Sequence, residues 1–199
     1  VYPDTLSEKY ISLLKENKKL MPHLHVSIQS LDDKILKLMK RNYRAEFVVE
    51  LLKKVQKEVP DSAITADIIT GFPQEEEENF WNTFENMKKI NFSDFHIFPY
   101  SDRENTAAKA LTKKIKPEIK KERVKILEKL KKSKIKEFRE KFLDTVQKVY
   151  IEEIKAGKAY GYTENYLRVE VNSVSHKVAD IVEVKIMSSA GDLLKGEVI

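Results

Sequence analysis

The first hundred residues alternate between short apolar runs and longer stretches in which apolar residues recur every three or four positions. Short runs bounded by turns predict strands, and the wider spacing predicts amphipathic helices. The predicted elements are a helix over 4–18, a strand over 23–29, a helical stretch over 32–58 with a break near Asn42, a strand over 63–69, a helix over 75–87 and a strand over 94–99. Strands that alternate with helices form parallel sheets with right-handed crossovers. The first half is therefore predicted to be α/β, as part of a (β/α) barrel or of a doubly wound sheet; its three strands would form either an incomplete barrel or an open α/β layer.

The second half begins with one long helix and ends with several short strands. Residues 117–142 have Pro117 in the first turn and apolar residues at near-helical spacing, which predicts a single basic helix. Five short runs rich in Val, Ile and Tyr follow, over 146–154, 158–162, 166–171, 181–187 and 193–199. They predict a small antiparallel β-barrel of the oligonucleotide-binding type. The predicted division is an α/β part over 1–112, a connecting helix over 113–142 and a barrel over 143–199.

Positive charge is concentrated in the connecting segment. Residues 113–142 contain 14 Lys and Arg against five Asp and Glu, a net of +9, which leaves −4 for the rest of a chain whose formal charge is +5. Such a strip is expected where a protein meets nucleic-acid phosphates. A solvated helix face would give the same composition.

The absence of certain residue types and patterns excludes several kinds of site and protein class. The chain has no cysteine, so neither a disulfide nor a thiolate metal site can form within it. No apolar run approaches the roughly 18 residues of a membrane span, and no signal-peptide pattern is present, which predicts a cytoplasmic protein without a membrane partner. The chain starts at Val1 rather than at methionine, and we interpret it as part of a longer protein.

Polar clusters follow each predicted strand of the first half. They are residues 27–30 (Ser-Ile-Gln-Ser), Asp67 with the Gly-Phe-Pro turn that starts at Gly71, and residues 99–103 (Pro-Tyr-Ser-Asp-Arg). Ligands of parallel α/β sheets bind at the carboxyl ends of the strands, so we expect these side chains to share one site. Gly71 would allow the backbone to approach a ligand closely. Asp67 lies in an otherwise apolar strand and needs either a ligand or a partner, such as a neighbouring Arg or Lys.

Two further patterns could indicate a metal but have simpler explanations. The run Glu75–Glu78 lies at a helix start, where negative side chains stabilise the helix dipole. His23, His25 and His96 lie in strands without carboxylate or cysteine partners at ligand spacing. We therefore interpret the histidines as packed or hydrogen-bonded and predict no metal site.

Aromatic and basic residues are interleaved in the predicted barrel. A single tyrosine in such a strand would be a core residue. Three tyrosines within seven residues, beside a turn and flanked by cations, favour RNA, whose bases stack on aromatic rings. The residues are Lys155, Lys158, Tyr160, Tyr162, Tyr166 and Arg168.

Taken together, these segments resemble one enzyme family over almost the whole chain. Residues 23–30 (HLHVSIQS) with 35–43 (ILKLMKRNY), 65–73 (TADIITGFP) and 98–108 (FPYSDRENTAA) are similar to its fourth, fifth and sixth barrel strands, and residues 161–166 (GYTENY) to the start of its TRAM RNA-binding barrel. The family is the radical-SAM methylthiotransferases. The first and third of these strand segments are most similar to the branch that acts on threonylcarbamoyladenosine beside the tRNA anticodon. The isopentenyladenosine and ribosomal-protein branches are alternatives, as is a non-catalytic RNA-binding protein. Leu31 and Gln74 stand where the family usually has glycine.

The resemblance implies a fold, a chemistry and a set of roles. The α/β part would be the C-terminal part of a radical-SAM barrel. The parent enzyme would carry two 4Fe-4S clusters, neither of which this chain can bind without cysteine. S-adenosylmethionine is the implied cofactor, the tRNA anticodon stem-loop the implied substrate, and the missing N-terminal domains of the same protein the implied partner. No catalytic residue is assigned within this chain. The residues assigned to the cofactor are Ser27, Gln29, Arg41, Asp67, Gly71, Phe98 and Tyr100, and those assigned to substrate or RNA are Arg103, Lys155, Lys158, Tyr160, Tyr162, Asn165, Tyr166 and Arg168.

Overall fold

The computed structural model describes residues 1–104, 106–172 and 176–199, so Asn105 of the motif after the third strand lies outside the described residues. The helices are α1 (Glu8–Glu16), α2 (Asp33–Leu38), α3 (Ala45–Glu58), α4 (Glu77–Lys88) and α5 (Pro117–Glu140). The strands are β1 (His23–Gln29), β2 (Ala63–Thr70), β3 (Asp94–Pro99), β4 (Val146–Lys155), β5 (Lys158–Thr163), β6 (Arg168–Asn172), β7 (Ile181–Ala190) and β8 (Leu193–Val198). Among the described residues, no helix combines the length and the apolar character needed to cross a membrane.

The first three strands form an open parallel sheet with β2 in the centre, which confirms the predicted α/β layer. Alternate residues of β1 are buried, and Val26 and Ile28 join one core with Val48 and Leu52 of α3. The residues between them on β1 are only partly buried and belong to the other face of the sheet. One face of the sheet therefore packs on helices, and the other presents polar side chains.

The helical stretch predicted over 32–58 is two helices, and the break near Asn42 is confirmed. Lys40 adopts a left-handed φ of 55°, and α3 begins where the Ala45 N–H donates to the Asp33 carboxylate at 2.8 Å. The Tyr43 hydroxyl donates to the Ser27 carbonyl at 3.1 Å and so ties the break to β1. As a result, Arg41 lies beside the carboxyl end of the sheet.

Helix α5 is shared by both parts of the chain. Leu127 belongs to the core of the α/β part, whereas Phe138 belongs to the core of the barrel, together with Phe142 just beyond the helix end. A single helix that contributes to two cores ties the parts together more firmly than a flexible linker would.

A buried ion pair anchors the start of α5. The Arg123 guanidinium donates to Oε2 of Glu75 at 2.6 Å and to the Glu75 carbonyl at 3.0 Å. The side chain of Arg123 is 7% exposed and that of Glu75 is 1% exposed. Burial raises the pKa of the Glu75 carboxyl above its usual range, and the Gly71 N–H and the Arg123 guanidinium act in the opposite direction. The helix-dipole explanation is therefore wrong for Glu75, although Glu77 and Glu78 do lie in the first turn of α4.

The last five strands close into a barrel in the order β4-β5-β6-β8-β7. Four of the five pairings are antiparallel, but β6 and β8 pair in parallel, with Val169 opposite Leu194. The predicted small β-barrel is confirmed. Because a closed ring with an odd number of strands cannot alternate direction all the way round, one of its pairs is parallel. Closure also needs glycine, because a Cβ on Gly161 would lie 2.1 Å from the Tyr150 carbonyl oxygen.

The turn before β6 makes two of the contacts that hold the barrel against the sheet. The Asn165 side-chain amide donates to the Asp61 carbonyl at 2.9 Å, and the ring of Tyr166 lies 4.8 Å from that of His23. Asn165 and Tyr166 belong to the turn before β6, and Tyr166 has a left-handed φ of 63°. The strand predicted over 166–171 therefore begins two residues later, at Arg168.

We expect Arg123→Met to lower the free energy of unfolding by about 3–5 kcal/mol, because it leaves the buried Glu75 carboxylate without its cation. The double variant Glu75→Gln with Arg123→Met should be more stable than the single one. Urea-induced unfolding measures both. Lys136→Met on the exposed face of the same helix is the control and should change stability by about 0.5 kcal/mol or less. Equal losses for Arg123→Met and Lys136→Met would contradict the assigned role of the buried pair.

Candidate functional site

The carboxyl ends of the three parallel strands border one cleft with a volume of about 470 Å³. The cleft brings together residues from all three predicted polar clusters and from the break between α2 and α3. It is lined by Gln29, Arg41, Asp67, Ile69, Phe98, Pro99, Tyr100, Ser101, Arg103, Thr106 and Ala108. Five of the seven residues assigned to the cofactor are in this set, together with Arg103. Ser27 and Gly71 are not.

Arg41 is one of the two arginines that line the cleft. Its guanidinium carbon lies 5.5 Å from the centre of the Tyr2 ring, and its Nε is buried with no hydrogen-bond partner among the described residues. A buried donor without a partner is costly, and an anionic group in the cleft would satisfy it. The site therefore fits a ligand with a carboxylate, as S-adenosylmethionine has.

Gly71 packs closely against helix α5. It has a φ of 74°, and a Cβ at this position would lie 2.4 Å from Cγ of Lys120. The missing Cβ thus makes room for the Lys120 side chain, and the role of Gly71 in the cofactor site stays a prediction. Gln74, which stands where the family usually has glycine, has a left-handed φ of 67°. The turn after β2 therefore keeps left-handed geometry at this position without glycine.

Tyr100 is held at the rim of the cleft by its neighbours. Its hydroxyl donates to Asp102 at 3.0 Å, and Lys120 Nζ donates to its carbonyl at 2.8 Å. Burial, together with the hydrogen bond to Asp102, raises the pKa of the Tyr100 hydroxyl. Lys114 lowers the pKa of Asp102 through a direct hydrogen bond. These contacts fix the Tyr100 ring at the edge of the cleft.

The polar face of the sheet carries a hydrogen-bonded histidine below the cleft. His25 contacts Asp67 through Nε2 at 3.1 Å and Thr65 through Nδ1 at 3.0 Å. The prediction of a hydrogen-bonded histidine is confirmed for His25, but the premise that no carboxylate lies near was wrong. Asp67 pairs with this histidine rather than with Arg or Lys. Burial lowers the pKa of the neighbouring His23.

On the barrel, the predicted RNA residues of β5 point outward on one face. Lys158, Tyr160 and Tyr162 alternate with buried residues, and Arg168 lies opposite Tyr162 on β6. Tyr166 follows in the turn with 58% of its surface exposed. Lys155 is exposed at the end of β4.

The predicted RNA surface differs from the observed one at two residues, Asn165 and Tyr150. Asn165 is buried, and its amide is engaged with Asp61, so it holds the barrel to the sheet instead of facing solvent. Tyr150, which sequence reasoning missed, lies opposite Tyr162 and is 48% exposed. It could have been found only from the pairing of β4 with β5, because it lies well outside the interleaved segment.

Comparison with known proteins gives a family match for the α/β part and longer matches for the whole chain. Residues 1–87 match the model of the radical SAM superfamily. The chain is 33% identical over 197 residues to the threonylcarbamoyladenosine tRNA methylthiotransferase MtaB of Bacillus subtilis, covering 96% of this chain and 44% of that protein. It is also 33% identical over 198 residues to the tRNA-2-methylthio-N(6)-dimethylallyladenosine synthase of Endomicrobium trichonymphae, covering 97% of this chain and 47% of that protein.

Among solved structures, an N-terminally deleted Elp3 of Methanocaldococcus infernus matches with a TM-score of 0.43 and 14% identity, over 96% of this chain and 57% of that one. A similarity this low supports no argument about function. The sequence matches define the class: a radical-SAM fold segment followed by a small barrel consistent with a TRAM domain. The chain is thus a radical SAM family fragment homologous to these tRNA methylthiotransferases, and it spans just under half the length of the two relatives.

Proposed function

We propose that the chain is the C-terminal part of a cytoplasmic tRNA-modifying enzyme that adds a methylthio group to threonylcarbamoyladenosine next to the anticodon. The observation that carries the proposal is the alignment with tRNA methylthiotransferases over 96% of the chain. The cleft and the outward tyrosines supply the two binding functions that such an enzyme needs. Because a relative named for dimethylallyladenosine is equally identical, the isopentenyladenosine branch is the alternative.

S-adenosylmethionine is the proposed ligand of the cleft at the strand ends. When bound, and cleaved with an electron from a 4Fe-4S cluster held elsewhere in the parent protein, it would supply the radical for C–H activation. The residues present here would bind and orient it. Arg41 would bind the carboxylate of S-adenosylmethionine, and the side-chain amide of Gln29 would donate a hydrogen bond to the ligand. Phe98 and Tyr100 would form the apolar wall of the site.

We expect Arg41→Met in the full-length protein to weaken S-adenosylmethionine binding roughly ten- to hundredfold, because a hydrogen bond to a charged group contributes about 1.5–3 kcal/mol. Equilibrium dialysis with labelled S-adenosylmethionine measures the affinity. Arg44→Met, an exposed arginine outside the cleft, is the control and should leave the affinity unchanged. Unchanged affinity in Arg41→Met would remove Arg41 from the cofactor site.

The proposed RNA surface combines the tyrosine face of the barrel with an exposed row of lysines on α5. Lys121, Lys125, Lys129 and Lys132 recur every three or four residues and are exposed. Other basic residues of the same helix have structural roles, because they bind carboxylates or backbone carbonyls of the α/β part or the barrel. These are Lys120, Arg123, Lys131, Lys134 and Arg139. Only part of the basic strip is thus available for phosphates.

We expect the tyrosine face and the lysine row to contribute differently to RNA binding. Tyr162→Ala should weaken binding of an anticodon stem-loop by about 1–3 kcal/mol, the contribution of one stacked base, without changing the salt dependence. Replacing Lys125, Lys129 and Lys132 by Gln should lower the slope of log K against log[salt] by about 0.7 per lysine. Fluorescence anisotropy at several salt concentrations measures both.

The matched controls lie on α3, on the α/β part of the chain. Phe47→Ala removes an exposed aromatic ring, and replacing Lys53, Lys54 and Lys57 by Gln removes three exposed lysines. Neither control should change RNA affinity or the salt slope. If the α3 lysines lower the slope as much as the α5 lysines do, binding is non-specific and the assigned surface is wrong.

Mass spectrometry of tRNA nucleosides tests the enzymatic function. We expect disruption of the full-length gene to remove methylthio-threonylcarbamoyladenosine from tRNA and to raise its unthiolated precursor. Loss of methylthio-isopentenyladenosine instead would move the protein to the alternative branch. If neither nucleoside changes, the proposal fails, and the ribosomal-protein branch or a non-catalytic RNA-binding protein takes its place.

The second candidate function is that of a non-catalytic RNA-binding protein. The absence of cysteine favours it, because the chain by itself can bind no 4Fe-4S cluster. The coding sequence upstream of Val1 separates the two. A Cys-x-x-x-Cys-x-x-Cys motif there supports the enzyme, and its absence supports the RNA-binding protein.

A further inference from the structure

Three side chains of metal-ligand type meet on the polar face of the sheet. His25 of β1, Asp67 of β2 and His96 of β3 each offer one ligand atom, and these atoms all lie within 4.8 Å of one another. His25 Nε2 and Asp67 Oδ2 are 3.1 Å apart, and the ring centres of the two histidines are 6.0 Å apart. The three residues come from three adjacent strands, so the backbone of the sheet fixes their spacing.

This ligand set matches the requirements of a first-row divalent cation. Two imidazoles and one carboxylate, with the remaining positions open, are the protein ligands of many zinc and non-haem iron sites. A metal bound in tetrahedral geometry at about 2.0–2.2 Å from each atom needs these atoms roughly 3.3–3.6 Å apart. Small side-chain rotations of Asp67 and of the exposed His96 would close the remaining gap.

A second layer of hydrogen bonds already orients one of the histidines. The Nδ1 atom of His25 contacts the Thr65 hydroxyl at 3.0 Å, which leaves Nε2 facing Asp67 and His96. Thr65 also contacts His23 Nε2 at 3.3 Å. Ligating histidines in proteins generally bond through their second ring nitrogen in this way, which fixes the ring and its tautomer.

The geometry points to a divalent metal site at His25, Asp67 and His96 that takes Zn²⁺ or a similar first-row cation. The inference does not depend on the proposed function, because it rests only on the three side chains and on Thr65. It differs from the interpretation that the sequence favoured, since the carboxylate partner becomes visible only when β2 is placed between β1 and β3.

Isothermal titration of the 199-residue chain with Zn²⁺ in chelator-free buffer tests the site. We expect one equivalent to bind, and His25→Ala, Asp67→Asn and His96→Ala each to weaken binding at least tenfold. Thr65→Val, which removes only the second-layer contact, should weaken it by about tenfold. Co²⁺ serves as a spectroscopic probe, because its visible absorption should appear with the first equivalent and be lost in the three ligand variants.

His176→Ala is the matched control. His176 precedes strand β7 of the barrel, away from the three ligand residues, and contacts Asp180. It should bind Zn²⁺ like the unchanged chain. Circular dichroism and urea unfolding of every variant separate a lost ligand from a lost fold, and a ligand variant that fails to fold is replaced by His25→Gln or His96→Gln. The inference is overturned if the unchanged chain shows no saturable binding, or if the folded ligand variants bind as tightly as His176→Ala does.

Discussion

The buried pair of Glu75 and Arg123 links the sheet, the connecting helix and the turn at the cleft. One carboxylate accepts from the Arg123 guanidinium of α5 and from the Gly71 N–H of the turn after β2. Removing two charges from water is unfavourable unless their geometry is tight, so the pair tolerates little displacement of either element. The same helix places Lys120 over Gly71 and against the Tyr100 carbonyl. The positions of the cleft rim and of α5 are thus set by one interaction.

This arrangement also explains how the barrel is positioned. Helix α5 contributes Leu127 to one core and Phe138 to the other, so a rotation of the helix would disturb both. Arg139 donates to the Gly191 carbonyl at 2.6 Å on the barrel, and Asn165 ties the turn before β6 to Asp61. The basic residues of the helix are therefore divided between internal contacts and an exposed row. The outward tyrosines and that row are presented in a fixed relation to the cleft.

The sequence predicted the features that depend on local periodicity and on chain order. It predicted the parallel strands, the helix break that carries Arg41, and most of the residues that line the cleft, because the carboxyl ends of parallel strands share an edge. It could not predict contacts between distant residues of ambiguous type. Glu75 is one of four consecutive glutamates, and Arg123 is one of 14 basic residues in its segment, so nothing local marks either as buried. The parallel pairing of β6 with β8 follows from ring closure, which local patterns do not contain.

Asp67 is where the two candidate sites of the α/β part meet. It lines the cleft at the strand ends and also bonds to His25 on the polar face below. A carboxylate has enough acceptor positions for both directions, but a cation at the histidines would take part of its charge. A bound cation would then weaken the repulsion between Asp67 and any anionic group held by Arg41 across the cleft. Occupancy of one site should therefore strengthen binding of a carboxylate ligand at the other, and by thermodynamic reciprocity the ligand should strengthen binding of the metal.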